Sequence, residues 1–152
     1  MKKGLFDLSG KVSLVTGGNG GIGLGMAKGL ASCGSDIAIW GRNNEKNEKA
    51  KEELKEYGTK IISYEVDVAS EEEVSNNMQK VINDLGRIDS VFANAGINVF
   101  GGSFENMDTD AYRKVLSVNL DGVFFTFREA TKHMVDRAKS GDAGGSVIGV
   151  AS

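Results

Sequence analysis

Proline is missing from the 152 residues, cysteine, histidine and tryptophan occur once each, and 18 lysines and arginines stand against 21 aspartates and glutamates for a net charge of -3. Each shortage excludes something. One cysteine, Cys33, rules out an internal disulfide and a cysteine-cluster metal site, and its place among Leu30, Ala31 and Gly34 in a helical pattern reads as a core thiol. The lone histidine, His133, stands beside Lys132 and Arg137 with no second ligand or triad partner in reach, so it reads as a surface residue and no metal site is expected. Evenly mixed charge leaves no basic stripe for a phosphate backbone and no acidic tail. No apolar run reaches spanning length, and Lys2 and Lys3 have no uninterrupted apolar segment behind them. These features predict a soluble, cytoplasmic protein without a nucleic-acid or membrane partner.

Glycine is what the chain has in excess, with 21 residues, about twice the usual share. Some are punctuation. Strand-like runs at 11–16, 36–40, 61–66, 88–93 and 146–151 alternate with helical patterns at 21–32, 43–57, 70–85 and 109–138, and Gly34, Gly58 and Gly86 close the first three of these. Ser70 with Glu73 forms a capping box, and Glu45 to Lys49 is an i,i+4 pair in the helix-favouring direction. In the first helix Ile22, Met26, Ala27, Leu30 and Ala31 mark the inward face. The last helix carries apolar residues on more than one stripe, including Phe124, Phe125 and Phe127, so it should be covered on two sides. Strand-helix alternation from end to end predicts parallel βαβ units: an α/β fold of the Rossmann-like, doubly wound kind with strand order 3-2-1-4-5, ending after the fifth strand and forming one dinucleotide-binding domain over 1–152.

Five more cluster in Thr16-Gly17-Gly18-Asn19-Gly20-Gly21-Ile22-Gly23, where the first strand turns into the first helix. Backbone amides and the positive end of a helix can hold a pyrophosphate there. Gly17 permits the tight turn, Gly21 keeps a side chain away from the phosphates, and Gly23 lets helix and strand pack closely.

The spacing Thr-Gly-x-x-x-Gly-x-Gly resembles that of the short-chain dehydrogenase/reductase family, and the likeness continues along the chain. Asp67-Val68 after the third strand matches the family's adenine-binding acidic position, Asn94-Ala95-Gly96 its Asn-Ala-Gly motif, Asn119 the helix asparagine of its catalytic tetrad and Ser152 the tetrad serine. The resemblance implies cofactor contacts at Gly17, Asn19, Gly20, Gly21, Ile22, Gly23, Arg42, Asn43, Asp67, Val68, Asn94, Ala95 and Gly96, and catalytic roles for Asn119 and Ser152. Asn94 is expected to brace the sheet rather than touch substrate. Asn119, on an apolar helix face, needs a buried polar partner. A methyltransferase on a similar scaffold is disfavoured, because the glycine pattern and the later Asn-Ala-Gly belong together in the reductases.

About twenty residues past the glycine cluster, a carboxylate ending the second strand would accept the adenosine ribose hydroxyls of NAD. Trp40-Gly41-Arg42-Asn43 stands there instead. A guanidinium fork suits a 2′-phosphate, so the cofactor is expected to be NADP (NADPH) rather than NAD, with Arg42 acting alone because Asn19-Gly20 replaces the second basic residue of many NADP-preferring relatives.

In the family a hydride passes between nicotinamide and a carbonyl or alcohol carbon, a tyrosine moves the proton, a lysine lowers its pKa and the serine holds the substrate oxygen. That Tyr-x-x-x-Lys lies beyond the serine; here the residues four after Tyr57, Tyr64 and Tyr112 are Ile61, Val68 and Leu116. The chain is therefore expected to be the front part of an oxidoreductase acting on a small carbonyl or alcohol, inactive by itself and self-associating through its open fifth strand and its phenylalanine-rich helix, with a dimer or tetramer as the complete form. The alternative is a non-catalytic dinucleotide-binding or interaction module.

Overall fold

The computed structural model describes residues 4–98 and 103–151. Strands β1 (Val12–Thr16), β2 (Asp36–Gly41), β3 (Ile61–Glu65), β4 (Ser90–Ala93) and β5 (Ser146–Gly149) form one parallel sheet in the order β3-β2-β1-β4-β5, as expected for a doubly wound α/β domain. The third and fifth strands stop one and two residues short of the sequence-based ends at 66 and 151. Tyr64, Trp40, Thr16, Ala93 and Gly149 are successive register partners, so the carboxyl ends of the strands lie in one row across the sheet. The order reverses between β1 and β4, and ligands of such sheets bind in the crevice at that switch point.

Strand side chains alternate between two apolar layers. Leu14, Ala38, Trp40 and Val91 point to the layer shared with Val74, Met78 and Val81 of α3 (Glu71–Leu85) and Ala130 of α5 (Gly122–Lys139). Val15, Ile37 and Ile39 point to the other, with Ala27 and Ala31 of α1 (Gly21–Ser32) and Ala50 and Leu54 of α2 (Asn44–Leu54). Helix α1 buries Gly23, Ala27 and Ala31, a narrow stripe that brings its axis close to the sheet, and so Ile22, one residue out of step, is 69% exposed rather than in the core. Cys33 is only half-buried, at the carboxyl end of α1. The expected single turn of the capping box is divided: Ser70 Oγ accepts the Glu73 amide at 3.2 Å, but the Glu73 carboxylate reaches past the cap to the Asp67 amide at 2.8 Å. The charged face of α2 pairs its residues three apart, Lys51 with Glu48 and Lys55 with Glu52, and not Glu45 with Lys49.

The helix expected over 109–138 is interrupted. Helix α4 (Thr109–Leu116) passes through a π-helical turn at Ser117–Asp121 before α5 begins. Of its phenylalanines only Phe124 is exposed, at 57%; Phe125 and Phe127 pack against the core.

His133 is not a surface residue. It is partly buried where α5 crosses the start of β4, and its Nε2 accepts the Ile88 amide at 3.2 Å. Burial, then the Arg137 cation, hold the imidazole below its usual range against the pull of Asp89. Proximity in sequence to Lys132 and Arg137 concealed this, because Arg137 also turns inward, donating to the Ile88 carbonyl at 2.6 Å and pairing with Asp89 at 3.3 Å.

Candidate cofactor site at the strand ends

At the switch point, β1 and β4 are tied by a polar knot. Thr16 Oγ1 accepts the amides of Asn94 and Ala95 at 3.0 and 2.9 Å, and Asn94 Nδ2 donates to the Thr16 carbonyl at 3.0 Å. Asn94 thus braces the ends of two strands. The chain leaves β1 through Gly17, whose φ of +65° is left-handed and whose amide donates to the Trp40 carbonyl at 2.7 Å. Gly23 is buried under this turn, and a Cβ there would overlap the Gly17 carbonyl oxygen and stand 2.5 Å from Asn94 Nδ2.

Gly20 and Gly21 are the opposite case. Apart from adjacent residues and the helix's own backbone, no described atom lies within 4 Å of a Cβ built on either, although Gly21, with φ +50°, also takes a left-handed backbone. Gly20 caps α1 without a side chain, and no side-chain hydrogen bond from a described residue satisfies the helix's first amides. An uncapped helix start beside open space is the arrangement that receives an anionic group.

A cavity of about 340 Å³ runs along the strand ends, and it gathers Gly17, Asn19, Arg42, Asn43, Asp67, Val68, Ala95 and Gly96 from the residues expected to meet a cofactor. Ile22, Asn94 and Asn119 line a second cavity of about 360 Å³ that shares Ala95 and Gly96 with the first and extends to Val150 and Ala151. Gly20, Gly21 and Gly23 form the turn beside these cavities without lining either. Ser152 lies outside the described residues, as do Gly101 and Gly102 of the loop before α4.

Charge in the first cavity is unbalanced on one side. Arg42 is exposed and no described residue pairs with it. Lys46, which the sequence reading passed over, lines the same cavity, so Arg42 does not stand alone. Asn43 Oδ1 accepts the Lys46 amide at 2.8 Å and caps α2, which puts Lys46 in the first turn, where side chains lean back toward the amino end of the helix. That cap was the available signal. Across the cavity, one carboxylate oxygen of Asp67 accepts the Ala69 amide at 3.0 Å. Trp40, wholly buried, also lines this cavity, and its Nε1 has no described partner.

Asn119 stands in the π-helical turn, where the Gly122 amide reaches back to the Ser117 carbonyl. Its side chain is exposed rather than set in the apolar face, and its polar partner is backbone: Oδ1 accepts the Ile97 amide at 2.8 Å and Nδ2 donates to the Ile97 carbonyl at 3.0 Å. The extra residue of the π turn aims this amide at the segment after β4. None of the tyrosines lines either cavity. Tyr64 is pushed up to about 12 by burial and by the Asp84 carboxylate its hydroxyl donates to.

The family model for short chain dehydrogenase matches residues 11–152. This chain belongs to the short-chain dehydrogenase family. Sorbose reductase of Schizosaccharomyces pombe is 35% identical over 150 residues, covering 97% of this chain and 57% of that protein. Among solved structures, NAD+-bound xylitol dehydrogenase superposes with a TM-score of 0.89 at 35% identity, over 95% of this chain and 54% of that one. NADPH-dependent 3-quinuclidinone reductase from Rhodotorula rubra does so with 0.86 at 34%, over 97% and 54%. This short-chain dehydrogenase chain thus spans about half the length of the relatives it matches. The two structures carry different dinucleotides in their names, so membership of the family leaves the cofactor to be argued from the site.

Proposed function

We propose that the complete protein is an NADP(H)-dependent oxidoreductase that interconverts a small alcohol and its ketone or aldehyde, with residues 1–152 forming its dinucleotide-binding domain. The observation that carries the cofactor reading is the cavity's charge: Arg42 and Lys46 line it with no acidic partner among the described residues, and Gly41 stands where an NAD-binding carboxylate would. A 2′-phosphate would neutralise this pair, and the Arg42 fork can bind it through two hydrogen bonds. The free amides at the start of α1 would hold the pyrophosphate, and Asp67 would accept the adenine amine.

When bound, the dinucleotide supplies or accepts the hydride. The chain's own residues prepare the place for it. Asn94 and Thr16 hold the switch point rigid, and Asn119 fixes the segment after β4 through Ile97. Ser152 is the proposed partner of the substrate oxygen. No Tyr-x-x-x-Lys occurs in these residues, so 1–152 alone is proposed to bind cofactor without turning it over.

Calorimetric titration of the 152-residue chain with NADPH and NADH tests the reading. Arg42→Asp removes a charge-assisted phosphate contact, and NADPH affinity should fall about tenfold to a hundredfold, with preference moving toward NADH. A wild type that already favours NADH refutes the assignment of Arg42.

A further inference from the structure

The inward stripe of α2 consists of Asn47, Ala50 and Leu54, and an asparagine is an odd choice for a position with no exposed surface. Asn47 does not line the cavity, yet it binds segments that do. Its Nδ2 donates to the Gly41 carbonyl at 2.9 Å and to the Tyr64 carbonyl at 3.1 Å, closing the ends of β2 and β3, while its Oδ1 accepts Asn19 Nδ2 at 2.7 Å. Two carbonyl acceptors leave no choice about which end of the Asn47 amide is the nitrogen. That in turn fixes Asn19, whose nitrogen must face Asn47 and whose Oδ1 has no partner among the described residues.

The same pair of amides occupies the space above Gly41. A Cβ at position 41 would overlap Asn19 Nδ2 and stand 2.6 Å from Asn47 Oδ1. Gly41 is the position at which a strand-end carboxylate would take the ribose diol of NAD.

We propose that Asn47 is a positioning residue for dinucleotide selection: through Asn19 it leaves an acceptor for a ribose hydroxyl, and the Asn19–Asn47 pair shuts a side chain out of position 41, so that Arg42 is the first residue to meet the ribose 2′ position. The inference rests on the reading of this cavity as the adenosine end of an NADPH site. It makes Gly41, Asn19 and Asn47 one device, in which an acid at 41 works only after the amide pair is broken.

The test uses the 152-residue chain, titrated with NADPH and NADH. Asn47→Ala should weaken NADPH and NADH together by about tenfold, because the Asn19 oxygen that accepts a shared ribose hydroxyl loses its orientation, and Asn19→Ala, away from the core, should do the same if the first variant folds poorly. Gly41→Asp in the wild-type background should give no gain in NADH affinity, whereas the same change added to Asn47→Ala should raise it about tenfold. A purely structural asparagine would change stability and leave the effect of Gly41→Asp on NADH affinity the same in both backgrounds. Gly41→Asp raising NADH affinity equally in both backgrounds overturns the proposal. A ligand-free arm separates the two readings: the stability losses of Asn19→Ala and Asn47→Ala should be non-additive. Additive losses overturn the amide pair whatever binds, while coupled losses in a wild type that binds neither dinucleotide sustain the pair and overturn the cofactor reading and, with it, the proposed role in selection.

Discussion

Replacing Gly23 by alanine adds one methyl group at the place where α1 lies closest to β1. The new carbon would overlap the Gly17 carbonyl oxygen, stand 2.5 Å from Asn94 Nδ2 and 2.9 Å from the Gly17 carbonyl carbon. Two of these three atoms are backbone, and the third belongs to a side chain held by Thr16, so none can swing aside. Ordinary contact requires separations of about 3.5 Å or more, and α1 must therefore retreat by about 1 Å or break the knot between β1 and β4. Overpacking of this kind costs about 1–3 kcal/mol, offset by up to about 1 kcal/mol for alanine over glycine in a helix. A net loss of about 1–2 kcal/mol should lower the urea midpoint by about 0.5–1 M for a slope near 2 kcal/mol/M. The displaced loop also carries Gly17 and Asn19, both lining the cavity, so NADPH affinity should fall about tenfold or more. Urea unfolding and calorimetric titration of the same preparation read both effects. An unchanged or raised midpoint with wild-type affinity would refute the close-packing argument.

His133 should make stability depend on pH in a defined window. Its folded pKa lies below the unfolded value, so the neutral ring is favoured in the fold; the penalty is absent above about pH 7 and grows as pH falls through the ordinary histidine value of about 6.5 toward the folded one. Urea midpoints between pH 7.5 and about 5 should decline, and His133→Gln, which keeps an acceptor for the Ile88 amide, should flatten the slope; an equal decline in both proteins assigns it elsewhere. Self-association should follow from the apolar face of the last helical segment, where Leu120, Phe124 and Val135 are 59%, 57% and 46% exposed, and from β5, which among the described strands pairs only with β4. Sedimentation velocity at micromolar concentration should show a dimer or larger species, reduced by Phe124→Lys; a wild-type monomer would show that this face is stable in water.

Sequence by itself determined the five strands, their parallel order and the place of the glycine turn at the switch point, because each rests on a local rule. Period, glycine stops and strand-helix alternation leave few topologies, and a glycine turn after the first strand can lie only at the switch point. The placement of Arg42, Asp67 and Asn94 beside the cavities was legible because each lies just past a strand and inherits its place from the sheet. What the tertiary structure decided are relations between residues far apart in the chain. The partner of Asn119 is the backbone of Ile97, the amide over Gly41 comes from Asn47 by way of Asn19, and the ring of His133 serves the start of β4. Lys46 reached the cavity through a helix cap, and the π turn at Ser117–Asp121 interrupts a helix that the sequence pattern reads as continuous. Local pattern selects a fold by what each segment can bury, whereas a polar side chain chooses its partner from whatever the finished packing sets within hydrogen-bond reach.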